Sequence, residues 1–314
     1  MSDATPYDPR PKIESLDVIV QTVLAEIKSR GNAPELPTGL PMLDEAIWGL
    51  HRSEITVIAA RTGEGKSSLA IQIASNLSQA HKRVLFLSLE MTREQVAERL
   101  LIQLTQMDAW AVRRGQGVEE LLARLAPLDG FFKALQLRLV DGTGRTTEQV
   151  RHLLQQMEEV AGGVPDVLVV DFVQLATSTE AKPKQEVIED YLGMLKELAM
   201  RYRMAVLVLA QLNREATKSP KSRPKLEHLK SSGSIEELAD CVLMCWWEEL
   251  GTEERPAGYK YWILVEKQRS GPVGAQIPVR FKPETLTFES VEPVVSPWQA
   301  AAGSVEDSRA GRDD

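Results

Sequence analysis

The sequence predicts an α/β protein in which helices cover both faces of a mainly parallel sheet. Short, unbroken runs of β-branched and apolar residues recur along the chain, and segments with helical periodicity separate them. Strands buried on both faces have this character, whereas strands with one wet face alternate apolar and polar residues. The predicted strands are residues 55–59, 84–89, 137–140, 167–170, 205–210, 242–246 and 261–265.

The N-terminal part predicts an amphipathic helix over residues 13–30. Its apolar positions fall on one stripe, which consists of Leu16, Ile19, Val20, Val23, Leu24 and Ile27. A connector rich in Gly and Pro, residues 31–37, separates this helix from the rest. This stripe packs either on the domain of its own chain or on a neighbouring subunit, and the sequence of the helix favours neither alternative. We expect an arm and linker helix over 1–35, one α/β domain over 36–290, and a disordered tail over 291–314.

Start and stop signals support the remaining elements. Thr92 with Gln95, and Thr146 with Gln149, have the spacing of capping boxes that begin helices. Residues 277–281 and 286–288 predict a small hairpin at a sheet edge.

Composition narrows the functional class. No run is long enough to span a membrane, and residues 1–12 do not resemble a secretory signal, so we expect a cytoplasmic protein without a membrane partner. The pair Cys241 and Cys245 lies in an apolar strand, which favours buried thiols over metal ligands. A net charge of −8 excludes a uniformly basic surface, but a local cluster of Lys and Arg can still bind nucleic acid.

A phosphate-binding loop is predicted between the first strand and the following helix. Gly65-Lys66-Ser67 is weak evidence alone, but it stands between a β run and an apolar helix. In that order, backbone N–H groups and the helix dipole hold phosphate. We expect Lys66 to contact the β and γ phosphates of a nucleoside triphosphate and Ser67 to ligate Mg²⁺. The residues assigned to the nucleotide are Arg61, Thr62, Gly63, Glu64, Gly65, Lys66, Ser67 and Ser68.

Three further strands end in polar side chains suited to this chemistry. Glu90 is the candidate general base, although an ordinary acidic charge at a helix N-terminus would look the same. Asp171 closes an apolar strand and is a candidate Mg²⁺ ligand through water. Gln211 could sense the γ-phosphate or simply cap its strand.

Two groups of cations have alternative interpretations. Lys267 and Arg269 lie on one face of an extended segment, either as a salt-bridged surface or as a finger reaching a neighbour's γ-phosphate. A basic segment, defined as residues 214–230, is either a solvated loop or a DNA surface that follows the phosphate backbone. Its cations are Arg214, Lys218, Lys221, Arg223, Lys225 and Lys230, and Lys182 and Lys184 could join them.

Seven motifs follow one another in a fixed order across residues 36–288. They are Pro37-Thr38-Gly39 with Leu43-Asp44, the phosphate loop, Ser88 to Met91 with Gln95 and Arg99, Asp171 to Leu175, Ala210 to Arg214, Gly233 to Asp240, and Lys267 to Pro272. Together they resemble the C-terminal motor domain of DnaB-type replicative DNA helicases, a RecA-like P-loop NTPase. The resemblance implies an ATP-driven ring, with six subunits expected, that translocates on single-stranded DNA and unwinds duplex during DNA replication. The alternatives are a RecA-like regulatory or recombination ATPase, or an assembly factor without unwinding activity.

The resemblance implies the same site roles and adds others. It places Arg99 near the nucleotide, and Lys230 and Gly233 in a DNA-contacting segment where the family has Arg in place of Lys230. Alanine at position 60 is common in that family. The family's N-terminal helical domain is not found in this sequence, and only its linker helix matches, which favours docking on a neighbour. The implied partners are single-stranded DNA, further copies of the chain, and a helicase loader or primase.

Overall fold

The computed structural model describes residues 13–29, 31, 33–142, 146–160, 163–178, 181–213, 222–248 and 260–291. The N-terminal arm (1–12) and the tail beyond 291 lie outside these residues. No helix among them is both long and apolar enough to cross a bilayer.

The described helices include the two whose start signals the sequence predicts. They are α1 (Leu16–Ser29), α2 (Pro41–Ile47), α3 (Lys66–Gln79), α4 (Arg93–Thr105), α5 (Ala109–Arg113), α6 (Val118–Leu125), α7 (Asp129–Ala134), α8 (Thr147–Val160), α9 (Lys184–Tyr202) and α10 (Gly233–Leu238). Both capping boxes are formed. Gln95 N donates to Thr92 Oγ1 at 3.3 Å, and Gln149 N donates to Thr146 Oγ1 at 3.4 Å.

A nine-stranded sheet confirms the predicted fold class. The strands are β1 (Ile55–Ala60), β2 (Val84–Ser88), β3 (Leu137–Asp141), β4 (Val167–Asp171), β5 (Ala205–Gln211), β6 (Cys241–Trp247), β7 (Tyr261–Gln268), β8 (Gln276–Lys282) and β9 (Thr287–Ser290). Their spatial order is β3-β2-β4-β5-β1-β6-β7-β8-β9. The first six strands in this spatial order are parallel to one another. Each of the last three strands pairs antiparallel with the strand before it, and β8 and β9 form the predicted hairpin at the edge of the sheet.

Strand β1 lies at the centre of two apolar layers. Ile58 belongs to the core cluster that contains Leu69 of α3, whereas Val57 belongs to the cluster that contains Tyr191 of α9. Every residue of β1 is buried, because helices cover both faces. The two cysteines of β6 are buried free thiols, as predicted.

Helix α1 leaves its apolar stripe uncovered by the described residues. Leu16 is 74% exposed and Ile27 is 50% exposed. An ion pair joins α1 to the domain, from Arg203 Nη2 to Glu26 Oε1 at 2.9 Å. An exposed apolar stripe of this kind is typical of a surface that binds a partner.

Candidate functional site

The phosphate loop leaves β1 at the carboxyl edge of the parallel strands. Helix α3 begins at Lys66, directly after Gly65, which has a φ of 80°. The N–H groups of the first turn of α3 therefore face the loop, with the positive end of the helix dipole behind them. This edge is where α/β sheets form their ligand sites.

Aromatic side chains behind the loop restrict Gly65 further. A Cβ at this position would lie 2.9 Å from Phe281 Cζ and 3.0 Å from Phe288 Cζ. The two rings stack with their centroids 4.4 Å apart, and Tyr261 meets Phe288 edge-on at 5.1 Å. Glycine is thus required both for its backbone conformation and for the space that the rings occupy. Sequence reasoning missed this cluster, because its rings come from β7, β8 and β9.

Lys66 and Asp171 come together across the sheet. Lys66 Nζ lies 2.8 Å from Asp171 Oδ1 and 3.5 Å from Ser67 Oγ. Asp171 is fully buried, and its Oδ2 has no hydrogen-bond partner among the described residues. A hydroxyl and a carboxylate are the hard oxygen donors that Mg²⁺ prefers, with water completing its shell. The residues present therefore fit a magnesium ion held between Ser67 and Asp171.

Glu90 lies at the same edge, beyond the end of β2. Ser88 pairs with Asp171 in the β2–β4 register, and Leu89 N donates to Asp171 O at 2.6 Å. The chain then turns, with Met91 N donating to Ser88 Oγ at 2.9 Å. This turn leaves the Glu90 side chain exposed to solvent. An exposed carboxylate beside a phosphate site is in a position to act on water.

Gln211 contacts the phosphate loop directly. Its Nε2 donates to Thr62 Oγ1 at 2.7 Å. Its backbone is held by Gln174, whose Oε1 accepts from Gln211 N at 3.2 Å and whose Nε2 donates to Gln211 O at 3.1 Å. Sequence reasoning included Gln174 in the Asp171 to Leu175 motif but assigned it no role of its own.

Arg61 and Glu64 form a buried pair inside the loop. Arg61 is 4% exposed and Glu64 is fully buried. Arg61 Nη1 lies 3.3 Å from Glu64 Oε1, and Arg61 N donates to Glu64 Oε2 at 3.0 Å. Tyr261 Oη also holds the loop, because it donates a hydrogen bond to Glu64 O at 2.5 Å. Burial raises the pKa of Glu64 above its ordinary value, against the lowering effect of hydrogen bonds from Arg61. The loop therefore presents its backbone, and not these two side chains, to a phosphate.

Lys267 and Arg269 lie at the opposite edge of the sheet. Strand β7 runs antiparallel to β6, so Lys267 pairs with Val242, whose parallel partner is Val57 near the start of β1. The remaining residues of β1 separate this position from the phosphate loop by roughly 10 Å at about 3.3 Å per residue. The two cations are therefore not brought to the loop of their own subunit.

The carbonyl end of α10 holds both cations. Lys267 Nζ donates to Glu236 O at 2.5 Å, and Arg269 Nη2 donates to Glu237 O at 2.8 Å. Arg269 Nη1 also lies 3.1 Å from Asp240 Oδ1, and its side chain is 51% exposed. Burial, with the neighbouring Arg269 charge, lowers the pKa of Lys267. The charged ends of both side chains are thus held at α10, and the Arg269 side chain remains half exposed.

The structure describes part of the basic segment. Arg223 pairs with Glu266 at 2.7 Å, and Lys225 is exposed. Lys182 instead pairs with Asp190 at 2.8 Å, and Lys184 Nζ donates to Ala176 O at 2.7 Å. The following predicted positions lie outside the described residues or side chains: Arg214, Lys218, Lys221 and Lys230. Gly233 is the first residue of α10, and Arg99 is a partly buried residue of α4.

Comparisons with known proteins add independent findings. Residues 35–290 match the model of the DnaB-like helicase C terminal domain. The chain is 29% identical over 283 residues to the replicative DNA helicase DnaB of Haemophilus influenzae, covering 89% of this chain and 59% of that protein. It is 31% identical over 240 residues to a probable plasmid replicative DNA helicase of Chlamydia psittaci, covering 76% and 52% respectively. The chain thus spans about 60% of the length of the first curated relatives it matches.

Solved structures agree with these matches. One of them, a separate ATPase domain, superposes with a TM-score of 0.82 at 25% identity, covering 90% of this chain and all of that one. A DnaB-like replicative helicase, solved in a study of its interactions with primase, gives a TM-score of 0.81 at 25% identity, covering 88% of this chain and 69% of that one.

Proposed function

Because the chain belongs to the family of DnaB-like helicase C-terminal domains, we propose that it is the motor of a replicative DNA helicase driven by ATP hydrolysis. Membership confirms the resemblance carried by the seven motifs, and it favours the helicase interpretation over a regulatory ATPase. The observation that carries the proposal is the convergence of Lys66, Asp171 and Gln211 on one loop at the carboxyl edge of the sheet.

Each residue has a defined task in hydrolysis. Lys66 binds the β and γ phosphates in place of its present partner Asp171, which releases that carboxylate toward the metal site. A Mg²⁺ ion bound beside Ser67 would neutralise charge on the phosphate oxygens. Glu90 orients and deprotonates the attacking water, a contribution of about 10²- to 10⁴-fold in rate. Gln211 exchanges its hydrogen bond to Thr62 for one to the γ-phosphate.

A neighbouring subunit completes each site. Lys267 and Arg269 lie at the sheet edge opposite the loop, so a head-to-tail ring brings them to the γ-phosphate of the next copy. An arginine supplied in this way contributes about 10³- to 10⁵-fold in rate. The exposed stripe of α1 supports the same assembly, since docking on a neighbour would cover it. We infer a ring of six subunits.

Single-stranded DNA is the proposed track. The basic segment carries several cations and no aromatic side chains, which fits binding to the phosphate backbone without reading of bases. Lys225 is exposed for such a contact. A primase or a helicase loader is a proposed partner, and the cytoplasm is the proposed location.

The proposal is tested by ATP hydrolysis and strand separation in the purified full chain. Single-stranded DNA should stimulate hydrolysis, and a forked duplex should be unwound, whereas Lys66→Ala should do neither. Native mass measurement should give a ring of six copies. Hydrolysis that DNA does not stimulate, together with an intact fork, would instead support the regulatory ATPase.

A further inference from the structure

Arg61 joins the phosphate loop to the described part of the basic segment. Its Nη2 donates to Ser222 O at 2.6 Å, while its Nη1 lies 3.3 Å from Glu64 Oε1. Ser222 directly precedes Arg223 and lies three positions before Lys225, two cations of the basic segment. One guanidinium therefore contacts both the loop and the backbone that carries these cations.

The chain that enters the basic segment is held by the same loop. Gln211 Nε2 donates to Thr62 Oγ1 at 2.7 Å, and Leu212 N donates to Ala60 O at 3.0 Å. The chain thus leaves residues 60–62 at Gln211 and returns to them at Ser222. Two hydrogen bonds from the chain just before the basic segment, and one to Ser222 within it, tie this part of the chain to the loop.

The chemistry of the pair suggests more than packing. A buried ion pair generally stabilises a fold no better than apolar side chains of similar volume, because both charges lose their hydration. Arg61 is 4% exposed, and its partner Glu64 is fully buried. The planar fork of arginine can donate to two acceptors in fixed directions, which lysine cannot do. Here the two acceptors belong to the two elements that nucleotide and DNA would contact.

We propose that Arg61 is a positioning residue that couples occupancy of the phosphate loop to the affinity of the basic segment for single-stranded DNA. The inference rests on the proposed function. Phosphate binding to the loop backbone would move Arg61 N, which is fixed to Glu64 Oε2, and the short hydrogen bond would pass that shift to Ser222 O. Arg223 and Lys225 would then change position relative to the DNA backbone. Coupling of this kind is a ratio of affinities and is reciprocal between the two ligands.

The test measures that ratio in the full chain. Affinity for a fluorescein-labelled oligothymidine is measured by anisotropy with Mg²⁺ and either a β,γ-imido ATP analogue or ADP. The main variant is the double substitution Arg61→Met with Glu64→Met, which removes both buried charges together and avoids leaving one unpaired. Glu64→Gln keeps Arg61 and its hydrogen bond to Ser222. Lys225→Ala removes one of the two cations that the coupling would move and is the comparison on the DNA side.

We expect wild type to bind DNA more tightly in one nucleotide state than in the other. In the double variant the ratio of these two DNA affinities should be about tenfold smaller, which is the effect of one charge-assisted hydrogen bond. Glu64→Gln should keep most of the ratio. Lys225→Ala should weaken binding more in the nucleotide state that binds DNA more tightly, because the coupling brings Lys225 to the DNA backbone in that state. The effect of DNA on the affinity of a fluorescent ATP analogue should fall by the same factor. Thermal melting checks that each variant is folded.

The outcomes separate the two proposals. An unchanged ratio in a folded double variant would overturn the coupling role of Arg61 and leave the helicase proposal standing. A proportional loss of nucleotide affinity with the same ratio would mean that the pair only supports the loop, and it would also overturn the inference. Absence of DNA binding by wild type in both nucleotide states would refute the proposed function itself.

Discussion

Substitution of Gly65 tests the packing behind the phosphate loop quantitatively. Gly65→Ala forces a side chain into a φ of +80° and places its Cβ 2.9 Å from Phe281 Cζ. The left-handed conformation costs about 1–2 kcal/mol for a residue with a Cβ. Overpacking adds about 1–3 kcal/mol, because the ring of Phe281 is buried and stacked on Phe288, so that moving it disturbs the whole cluster. The expected loss of unfolding free energy is about 3 kcal/mol.

Gly63→Ala is the matched control for the backbone effect. Gly63 has a φ of +83°, but a Cβ there would meet nothing within 4 Å. Its substitution should cost only about 1–2 kcal/mol, the strain of the backbone alone. Urea denaturation without nucleotide measures both losses of unfolding free energy. In thermal unfolding, the Tm of Gly65→Ala should fall by about 6–12 °C, at about 2–4 °C per kcal/mol in a domain of this size. Equal losses in the two variants would refute the aromatic packing argument.

Three further predictions concern charges and thiols. Asp240→Asn should lower the unfolding free energy measured in urea by about 2 kcal/mol, since the buried carboxylate pairs with Lys196 at 2.6 Å. The same variant should slow ATP hydrolysis, because Arg269 loses its ion pair with Asp240. Full hydrolysis would contradict a role of Asp240 in positioning Arg269. Burial opposes the charge of Asp166, but hydrogen bonds from Arg52 and a backbone N–H outweigh it and hold its pKa below 3.8. The ionised Asp166 therefore stabilises the fold above pH 3.8, and this stabilisation is lost as pH falls further. The stability difference between wild type and Asp166→Asn should shrink below that pH. A constant difference would contradict this. Burial raises the pKa of both cysteine thiols to about 12, so an aromatic disulfide reagent at about pH 8 should label neither until urea is added; rapid labelling of native protein would contradict their burial.

Sequence patterns predicted most of the fold because burial on both faces leaves a strong signal. All seven predicted strands form, including 137–140 and 205–210, and their observed ends lie close to the predicted ones. The direction of β7 could not be read from its residues, since an unbroken apolar run looks the same in a parallel or an antiparallel strand.

The candidate site was less fully predictable. Lys66, Asp171 and Gln211 converge as expected because each follows a parallel strand, and the carboxyl ends of such strands meet at one edge. The inward turn of Arg61 and Glu64 could not be foreseen, since charged residues in a glycine-containing loop usually face water. Tertiary contacts, among them those from Tyr261, Ser222 and Trp247, accompany their burial.

The shared active site is tested most directly by mixing two inactive variants. Lys66→Ala lacks the proposed phosphate contact and Arg269→Ala lacks the proposed finger, so each alone should hydrolyse ATP poorly. In rings assembled from equal amounts of both, about a quarter of the interfaces would combine an intact loop with an intact finger, if the contacts are head-to-tail. We predict that the mixture recovers a corresponding fraction of DNA-stimulated hydrolysis. Activity no higher than the average of the two separate variants, in rings proven to be mixed by native mass, would contradict a site shared between subunits.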